Sequence, residues 1–322
     1  MNYKPPYTIT SKMVNLISVI SESLVKLKFT SSAKTTPMLR KKNRIKTLAG
    51  TLEIEGNFLG EQKITAILEG KRVLATVPEL AEVQGAIKAY ERLEEYRFDD
   101  IDDLLHAHKI LMSEVLTTAG SFRTVNVSVG EHIAPQANMV NDLMAQLFYW
   151  LKNSEEHLLL KSCIFHYEFE FIHPFSDGNG RIGRLWQSVI LNSYNPLFSL
   201  LPTESVVRDH QEEYYKALED STAIGESTPF IEFMLEMILE SIKSTLKSDQ
   251  QSNLKSDQKI LTLIEENNNI TIKELCEIIS MSESGVKKVI KKLKDEDKII
   301  RVGSLKSGHW EVKEIIGSGY SR

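Results

Sequence analysis

Residues 173–184 hold much of what this chain has to offer chemically: His-Pro-Phe-Ser-Asp-Gly-Asn-Gly-Arg-Ile-Gly-Arg, an imidazole, a carboxylate, three glycines and two guanidinium groups. Asp177, Gly178, Asn179 and Gly180 predict a tight turn, because Asp, Asn and Gly accept left-handed backbone conformations that other residues resist. From Arg181 onward, Ile182, Leu185, Trp186, Val189 and Ile190 recur at helical spacing, so the turn opens into a helix N-terminus. Free backbone N–H groups and the positive end of a helix dipole favour an anion there, and a di- or triphosphate is the natural guest. Arg181 and Arg184 suit the clamping of its oxygens, and Asp177 suits a Mg2+ that bridges them.

A second reading competes for the same glycines. Gly178, Gly180 and Gly183 satisfy the dinucleotide fingerprint GxGxxG, residues 166–171 alternate polar and aromatic as a strand would, and Glu204 stands about where a ribose-binding acid belongs. Against it, no strand–helix–strand alternation appears elsewhere, and residues 157–172 read equally well as helix. A purely structural glycine turn would not need His173, Asp177 and both arginines together.

The run fills every fixed position of His-x-Phe-x-(Asp/Glu)-Gly-Asn-Gly-Arg-x-x-Arg, and on that motif the chain closely resembles the Fic family. The resemblance implies a mostly α-helical Fic-type domain with a short β-hairpin flap. It implies transfer of AMP from ATP to a Ser, Thr or Tyr hydroxyl of a target protein, or of the protein itself. His173 would then be the base that deprotonates the hydroxyl and Phe175 the anchor of the loop in the core. Asp177, Gly178, Asn179, Gly180, Arg181, Ile182, Gly183 and Arg184 would line the nucleotide, with Mg2+ on Asp177. Two rival readings remain: a nucleotide-sensing, DNA-binding regulator, which would not need a base at position 173, and an enzyme that removes AMP.

Upstream stands Thr51-Leu-Glu-Ile-Glu55-Gly56-Asn57. On its residues alone this is a helix C-terminus: Thr51 and Glu55 share one face, and Gly56 with Asn57 stops the helix. The resemblance adds that many Fic proteins carry (Ser/Thr)-x-x-x-Glu-(Gly/Asn) on an inhibitory helix, here about residues 39–57. Its glutamate would pair with Arg184 and occupy the guanidinium needed by the γ-phosphate, a pairing that is strong when shielded from water. In the AMP-removing variant, Glu55 would instead activate water.

The one β-like stretch is 120–135, where Val125, Val127 and Val129 alternate with Asn126 and Ser128 until Gly130 breaks the run. In the family this segment is a flap that aligns the target's backbone by strand addition. Val129, Gly130, Glu131 and His132 would lie beside the nucleotide, although His132 reads equally as a plain loop histidine. By family alignment Tyr215 would stack on adenine, with a packed core tyrosine as the alternative. An Asn that some relatives place near Thr222 is absent, which leaves base selectivity open.

Helical periodicity predicts the supporting elements at 7–28, 39–52, 64–68, 78–96, 101–116, 137–152, 155–172, 184–192, 205–222 and 229–247. His106 and His108, two apart on a helix, point to different sides and read as surface or interface residues. His166, seven before His173, reads as a core or loop-bracing residue. Residues 1–246 thus form the catalytic domain. Residues 247–257, polar and repeating Leu-Lys-Ser-Asp-Gln, read as a linker. Helices at 258–266, 271–279 and 283–295, then strands at 299–302 and 309–312, make 258–322 a winged helix-turn-helix. Ser282, Ser284, Lys287, Lys288 and Lys291 are its candidate DNA contacts, with Lys292 and Lys294 on the same helix. A solvated basic face or a protein contact is the alternative.

The chain has 322 residues, 42% hydrophobic and 26% charged, enough for one large core and a smaller domain. Its net charge of −5 argues against bulk nucleic-acid binding by the whole molecule. Two cysteines, Cys163 and Cys276, make no disulfide framework, residues 1–6 carry no signal-peptide pattern, and no apolar run approaches a membrane span. A cytoplasmic protein is expected. Its expected partners are ATP, a hydroxyl-bearing protein, DNA through the winged helix, and a second copy of the chain in a homodimer.

Overall fold

Local start and stop signals set the helices that carry residues 173–184. The computed structural model describes residues 3–30, 37–129, 132–253, 256–279, 281–303 and 308–313. The chain divides into two compact units, Met1–Leu246 and Lys247–Arg322. The first begins with α1 (Ser11–Thr30), where the Thr10 hydroxyl accepts from Met13 N–H at 3.1 Å. It continues through α2 (Pro37–Ile54), α3 (Gly60–Leu68) and α4 (Val77–Glu91), the last opened by a Thr76–Glu79 capping box. Asp100 caps α5 (Ile101–Met112). A two-residue ribbon follows, β1 (Ser128–Val129) antiparallel to β2 (His132–Ile133), pairing Ser128 with Ile133 and Val129 with His132. Then come α6 (Val140–Asn153), α7 (Leu158–Ile172), α8 (Asn179–Tyr194), α9 (Thr203–Asp209), α10 (Gln211–Ile224) and α11 (Thr228–Asn253).

α7 is buried on nearly every side, polar residues Ser162 and His166 included, which marks it as the central helix of the unit. α8 packs along it, α2 against α9, and α4 against α5. Phe165, Phe169, Phe175, Trp186 and Phe230 are fully buried in the shared core. The segment 173–178 therefore joins two helices that the core holds fixed.

Two sequence expectations need correction. The helix expected over 205–222 is two helices, broken at His210, whose N–H is shared between the Val206 and Val207 carbonyls. No Gly or Pro marks that break. The stretch read as a linker over 247–257 is helical through Asn253, because Lys, Ser, Asp and Gln without Gly or Pro do not stop a helix that is already running. Residues 254–255 lie outside the described residues.

The second unit holds α12 (Ser256–Glu266), α13 (Ile272–Ile279), α14 (Glu283–Asp295) and the antiparallel pair β3 (Ile299–Val302) and β4 (His309–Val312). Ile260, Ile264, Leu275, Val286, Ile290, Leu293 and Trp310 form its own apolar core. This is the winged helix arrangement.

Candidate active site

His173 caps α7 in a left-handed conformation, φ 50° and ψ 60°. A non-glycine residue there costs on the order of 1–3 kcal/mol and persists only where its surroundings hold it. Arg123 is the main holder. Its Nε donates to the His173 carbonyl at 2.8 Å, its Nη2 to the Ile172 carbonyl at 3.3 Å, and its backbone N–H to the Pro174 carbonyl at 2.9 Å. The same guanidinium donates to the carbonyls of Val125 at 2.8 Å and Pro135 at 2.6 Å, on either side of the β1–β2 ribbon. One buried arginine thus ties the base candidate to both ends of the flap segment.

Phe175 anchors the loop by stacking on His108, ring centroids 3.6 Å apart and planes within 6°. His108 is fully buried, not a surface or interface residue as its spacing suggested. Gly120 N–H donates to His108 Nδ1 at 2.9 Å, so Nε2 carries the proton and donates to the Asp177 carbonyl at 3.0 Å. Burial holds its pKa down to about 4, so it stays neutral in this role.

Asn179 closes the loop on itself. Its Oδ1 accepts from Phe175 N–H at 2.8 Å and its Nδ2 donates to the Phe175 carbonyl at 2.9 Å. Ile182 and Gly183 present no side chain to a ligand either. Ile182 is fully buried with its N–H on the Gly178 carbonyl, and Gly183 abuts Glu170, Phe169 and His166.

Both arginines are buried and both meet carboxylates. Arg184 donates through Nη2 to Glu55 Oε1 at 2.7 Å and to the Thr51 carbonyl at 3.1 Å, and through Nε to Thr51 Oγ1 at 3.1 Å. Burial pushes Glu55 up, but the charge and hydrogen bond of Arg184, with the charges of Arg181 and His173, outweigh it and hold the carboxyl below its ordinary range. Burial pulls Arg184 down, and Glu55 more than restores it. A β-carbon on Gly180 would run into Glu55 Oε1 and lie 3.0 Å from Arg184 Nη1. The Glu55 carboxylate therefore rests on the first turn of α8, the seat that a helix N-terminus offers to an anion.

That placement comes from a tight end to α2. Gly56 turns left-handed at φ 88°, its N–H bonds the Glu53 carbonyl, and Asn57 N–H bonds the Leu52 carbonyl, the paired bonds of a Schellman stop. Asn57 Nδ2 then reaches Glu79 O at 3.1 Å and Glu82 Oε2 at 2.8 Å. Glu82 in turn accepts from Arg181 Nη1 at 2.9 Å.

Asp177 is the carboxylate the loop itself offers, its side chain 61% exposed, with Oδ1 taking Gly178 N–H at 2.6 Å and Arg181 Nη2 at 3.3 Å. Among the described residues no group of three or more His, Cys, Asp or Glu could cage a metal. One exposed carboxylate beside an anion seat fits a Mg2+ that keeps its waters and arrives on phosphate oxygens.

His166 belongs to the core. It bonds Gln187 Oε1 at 2.8 Å and the Tyr214 hydroxyl at 3.1 Å, and burial lowers its pKa to about 3. Glu170 lies between the two histidines, 3.8 Å from His166 Nε2 and 4.0 Å from His173 Nδ1. Burial pushes it up to about 8, against the pull of Arg184 and with repulsion from Glu55. Tyr215 is exposed on α10, and its hydroxyl accepts from Gln211 Nε2 at 3.4 Å, a group that also reaches the Ile54 carbonyl at 3.1 Å at the end of α2. Gly130 and Glu131 lie outside the described residues, as do the side chains of Val129 and His132.

The dinucleotide reading fails on this geometry. Residues 166–171 are helix, so the element leading into the glycines is α7 and not a strand, and Glu204 is buried with its carboxylate on Tyr90 and Ser188. Sequence reasoning missed Arg123, Glu82 and Glu170. A lone arginine in the otherwise uncharged stretch 120–129 was the only signal for the first.

In the second unit, Ser282 caps α14, accepting from Gly285 N–H at 3.3 Å, and bonds the Ser284 hydroxyl at 3.1 Å. Its first role is therefore structural. Lys287, Lys288 and Lys291 are exposed, with Lys287 paired to Glu283 at 2.6 Å. Lys292 is drawn to Asp257 and Glu296, and Lys294 lies over the Trp310 ring at 5.2 Å. Among the described residues no helix is long and apolar enough to cross a membrane.

Known proteins share both units. Residues 98–191 match the Fic/DOC family, and residues 254–300 match a winged helix-turn-helix DNA-binding family. A crystal structure of a Fic family protein from Desulfovibrio desulfuricans G20 is 37% identical, with TM-score 0.75, covering 99% of this chain and 100% of that one. Part of Fic-1 from C. elegans shares the fold at 22% identity and TM-score 0.62, over 75% of this chain and 73% of that one. Protein adenylyltransferase Fic of Culex quinquefasciatus is 30% identical over 195 residues, 57% of this chain; the match spans only 38% of that relative's length. The loop, its arginines and full-length likeness to a solved relative lead to one assignment: the chain belongs to the Fic family.

Proposed function

We propose that the protein is an adenylyltransferase that moves AMP from ATP to a hydroxyl of a target protein, and that Glu55 restrains it. The observation that carries this reading is the Glu55 carboxylate. It sits at the start of α8, bonded to Arg184 and within electrostatic reach of Arg181 and His173. A site that holds one anion beside a histidine and two arginines is built for phosphate chemistry. The printed activity of the relatives, protein adenylyltransferase, supports the same reading.

In this reading the target's oxygen attacks the α-phosphorus, the bond to the β-phosphate bridging oxygen breaks, and pyrophosphate leaves. His173 takes the hydroxyl proton as the new bond forms. Arg123 holds the His173 backbone in place, and the α8 N-terminus with Arg181 and Arg184 stabilises charge on the phosphates. A bound Mg2+ on Asp177 would neutralise phosphate oxygens. The ribbon edge at Ser128–Val129 supplies a place for an extended target backbone to pair. The two free cysteines, one fully buried, support a reducing, cytoplasmic setting. The exposed face of Lys287, Lys288 and Lys291 supports DNA binding by the winged helix.

His173→Ala tests the assignment of the base. It should abolish labelling of protein from α-labelled ATP, by a factor of at least about 10²–10⁴, while leaving thermal stability and nucleotide affinity near those of the parent. Equal transfer rates in variant and parent would overturn it.

A further inference from the structure

Each arginine of the loop is met by a carboxylate from outside it. Glu55 meets Arg184, and the second pair, Glu82 on α4 with Arg181, bears on the metal ligand. The Arg181 side chain is 5% exposed and shares two carboxylates, Glu82 at 2.9 Å and Asp177 at 3.3 Å. Glu82 is the nearer partner, and it is held from behind: Asn57 Nδ2 donates to its other oxygen at 2.8 Å and is itself fixed on the Glu79 carbonyl at 3.1 Å.

Without the Glu82 charge, Asp177 would be the carboxylate left hydrogen-bonded to this buried guanidinium. The planar fork of an arginine favours bidentate pairing with a carboxylate. Asp177, 61% exposed and already bonded to Arg181 through Oδ1, would close further onto it and offer less of its carboxylate to a cation. Charge works the same way. Glu82, Arg181 and Asp177 together carry one net negative charge, which attracts a divalent cation; Arg181 and Asp177 alone carry none.

We propose that Glu82 is a positioning residue that satisfies Arg181 and thereby keeps Asp177 available to a divalent cation carried by the nucleotide. The proposal rests on the reading of residues 173–184 as a nucleotide site.

The test is a calorimetric titration of the full-length chain with α,β-methylene-ATP, which cannot lose pyrophosphate, across a series of Mg2+ concentrations. It is run in a Glu55→Gly background so that Arg184 is free. Glu82→Gln keeps the shape and removes the charge. It should raise the Mg2+ concentration giving half of the metal-dependent gain in affinity roughly tenfold or more, the usual cost of losing an outer-shell partner. Affinity without Mg2+ should hold or rise, because Arg181 loses a competing carboxylate, which separates positioning from a merely structural role that would weaken both. Glu82→Asp, which keeps the charge with a shorter reach, should fall between. Asn57→Ala, which unpins Glu82 but leaves its charge, should shift the midpoint the same way by less, and it decides the matter if Glu82→Gln does not fold. An equal Mg2+ midpoint in Glu82→Gln and its background, with nucleotide bound in both, overturns this proposal alone. No nucleotide binding in the background overturns the reading of the loop and this proposal with it.

Discussion

Removing the Glu55 carboxylate should release the enzyme, and the structure sets the scale. Glu55 gives Arg184 a charge-assisted hydrogen bond at 2.7 Å and occupies the anion seat above Gly180. A hydrogen bond to a charged group is worth about 1.5–3 kcal/mol. If that interaction is what a γ-phosphate must displace to reach Arg184, Glu55→Gly should raise the labelling rate by about 10- to 150-fold. The cost falls on stability, since Arg184 is 3% exposed and keeps only its two Thr51 bonds. Breaking a buried pair from one side costs about 3–5 kcal/mol, and the 27% exposure of the Glu55 side chain puts this pair at the low end. The variant should therefore melt earlier than the parent, yet gain more in Tm on adding α,β-methylene-ATP, because the nucleotide supplies the missing anion. The assay is the initial rate of label transfer from α-labelled ATP with Mg2+, for parent, Glu55→Gly, Arg184→Ala and the double variant. Arg184→Ala should label poorly in either background, since in the proposed reading the same guanidinium serves restraint and substrate. If Glu55→Gly labels no faster than the parent, residues 51–57 are only a helix end. If it instead loses an activity that strips AMP from a modified target, Glu55 is a base for the reverse reaction.

Two further expectations concern other parts of the chain. Replacing Lys287, Lys288 and Lys291 together with Ala should weaken DNA binding on any sequence and flatten the log–log salt slope by up to ~2.7; anisotropy titrations at low salt that detect no binding by the parent would favour a protein-contact role. Glu170→Gln should become more stabilising with pH. The Glu170 carboxyl is raised from 4.5 to about 8, so its contribution is intact below pH 4.5 and is lost as pH rises through 8, whereas Gln never ionises. The Tm difference between variant and parent should grow from pH 5 to pH 8, and a difference independent of pH would show that Glu170 is not held protonated.

Much of this site was legible because its parts are contiguous. His173, Asp177, Arg181 and Arg184 fall within one turn and the start of one helix, so residue type and spacing alone describe the anion seat. The α2 end was legible as a helix stop from Gly56 and Asn57, but its contact with Arg184 was not, since nothing in a local pattern says that residues 129 positions apart meet. That expectation came only through resemblance. The winged helix was legible because α12, α13 and α14 are short, amphipathic and separated by turn residues. Boundaries failed where sequence carries no punctuation: the break at His210 lacks Gly or Pro, and the polar stretch after Leu246 continues as helix through Asn253.

What stayed hidden shares one physical character. Arg123, His108, Asn179 and Glu82 act on backbone carbonyls, on a ring stacked in the core, or on another side chain's charge, and such partners are set by tertiary packing. His108 shows the difficulty best. Two histidines two apart on a helix diverge, and that rule correctly set aside a metal pair; it could not say that one of them would be buried against Phe175 and hold the Asp177 carbonyl. Arg123 is similar, a single cation in a β-like stretch whose five donors find carbonyls on both sides of the ribbon and at the strained His173. The loop presents the reacting groups, while these four residues fix where those groups point. A strained left-handed histidine and a carboxylate shared with an arginine would each relax elsewhere without that support. The motif in sequence therefore marks the groups that the loop presents, whereas three of the four residues that fix their geometry, Arg123, His108 and Glu82, lie outside it.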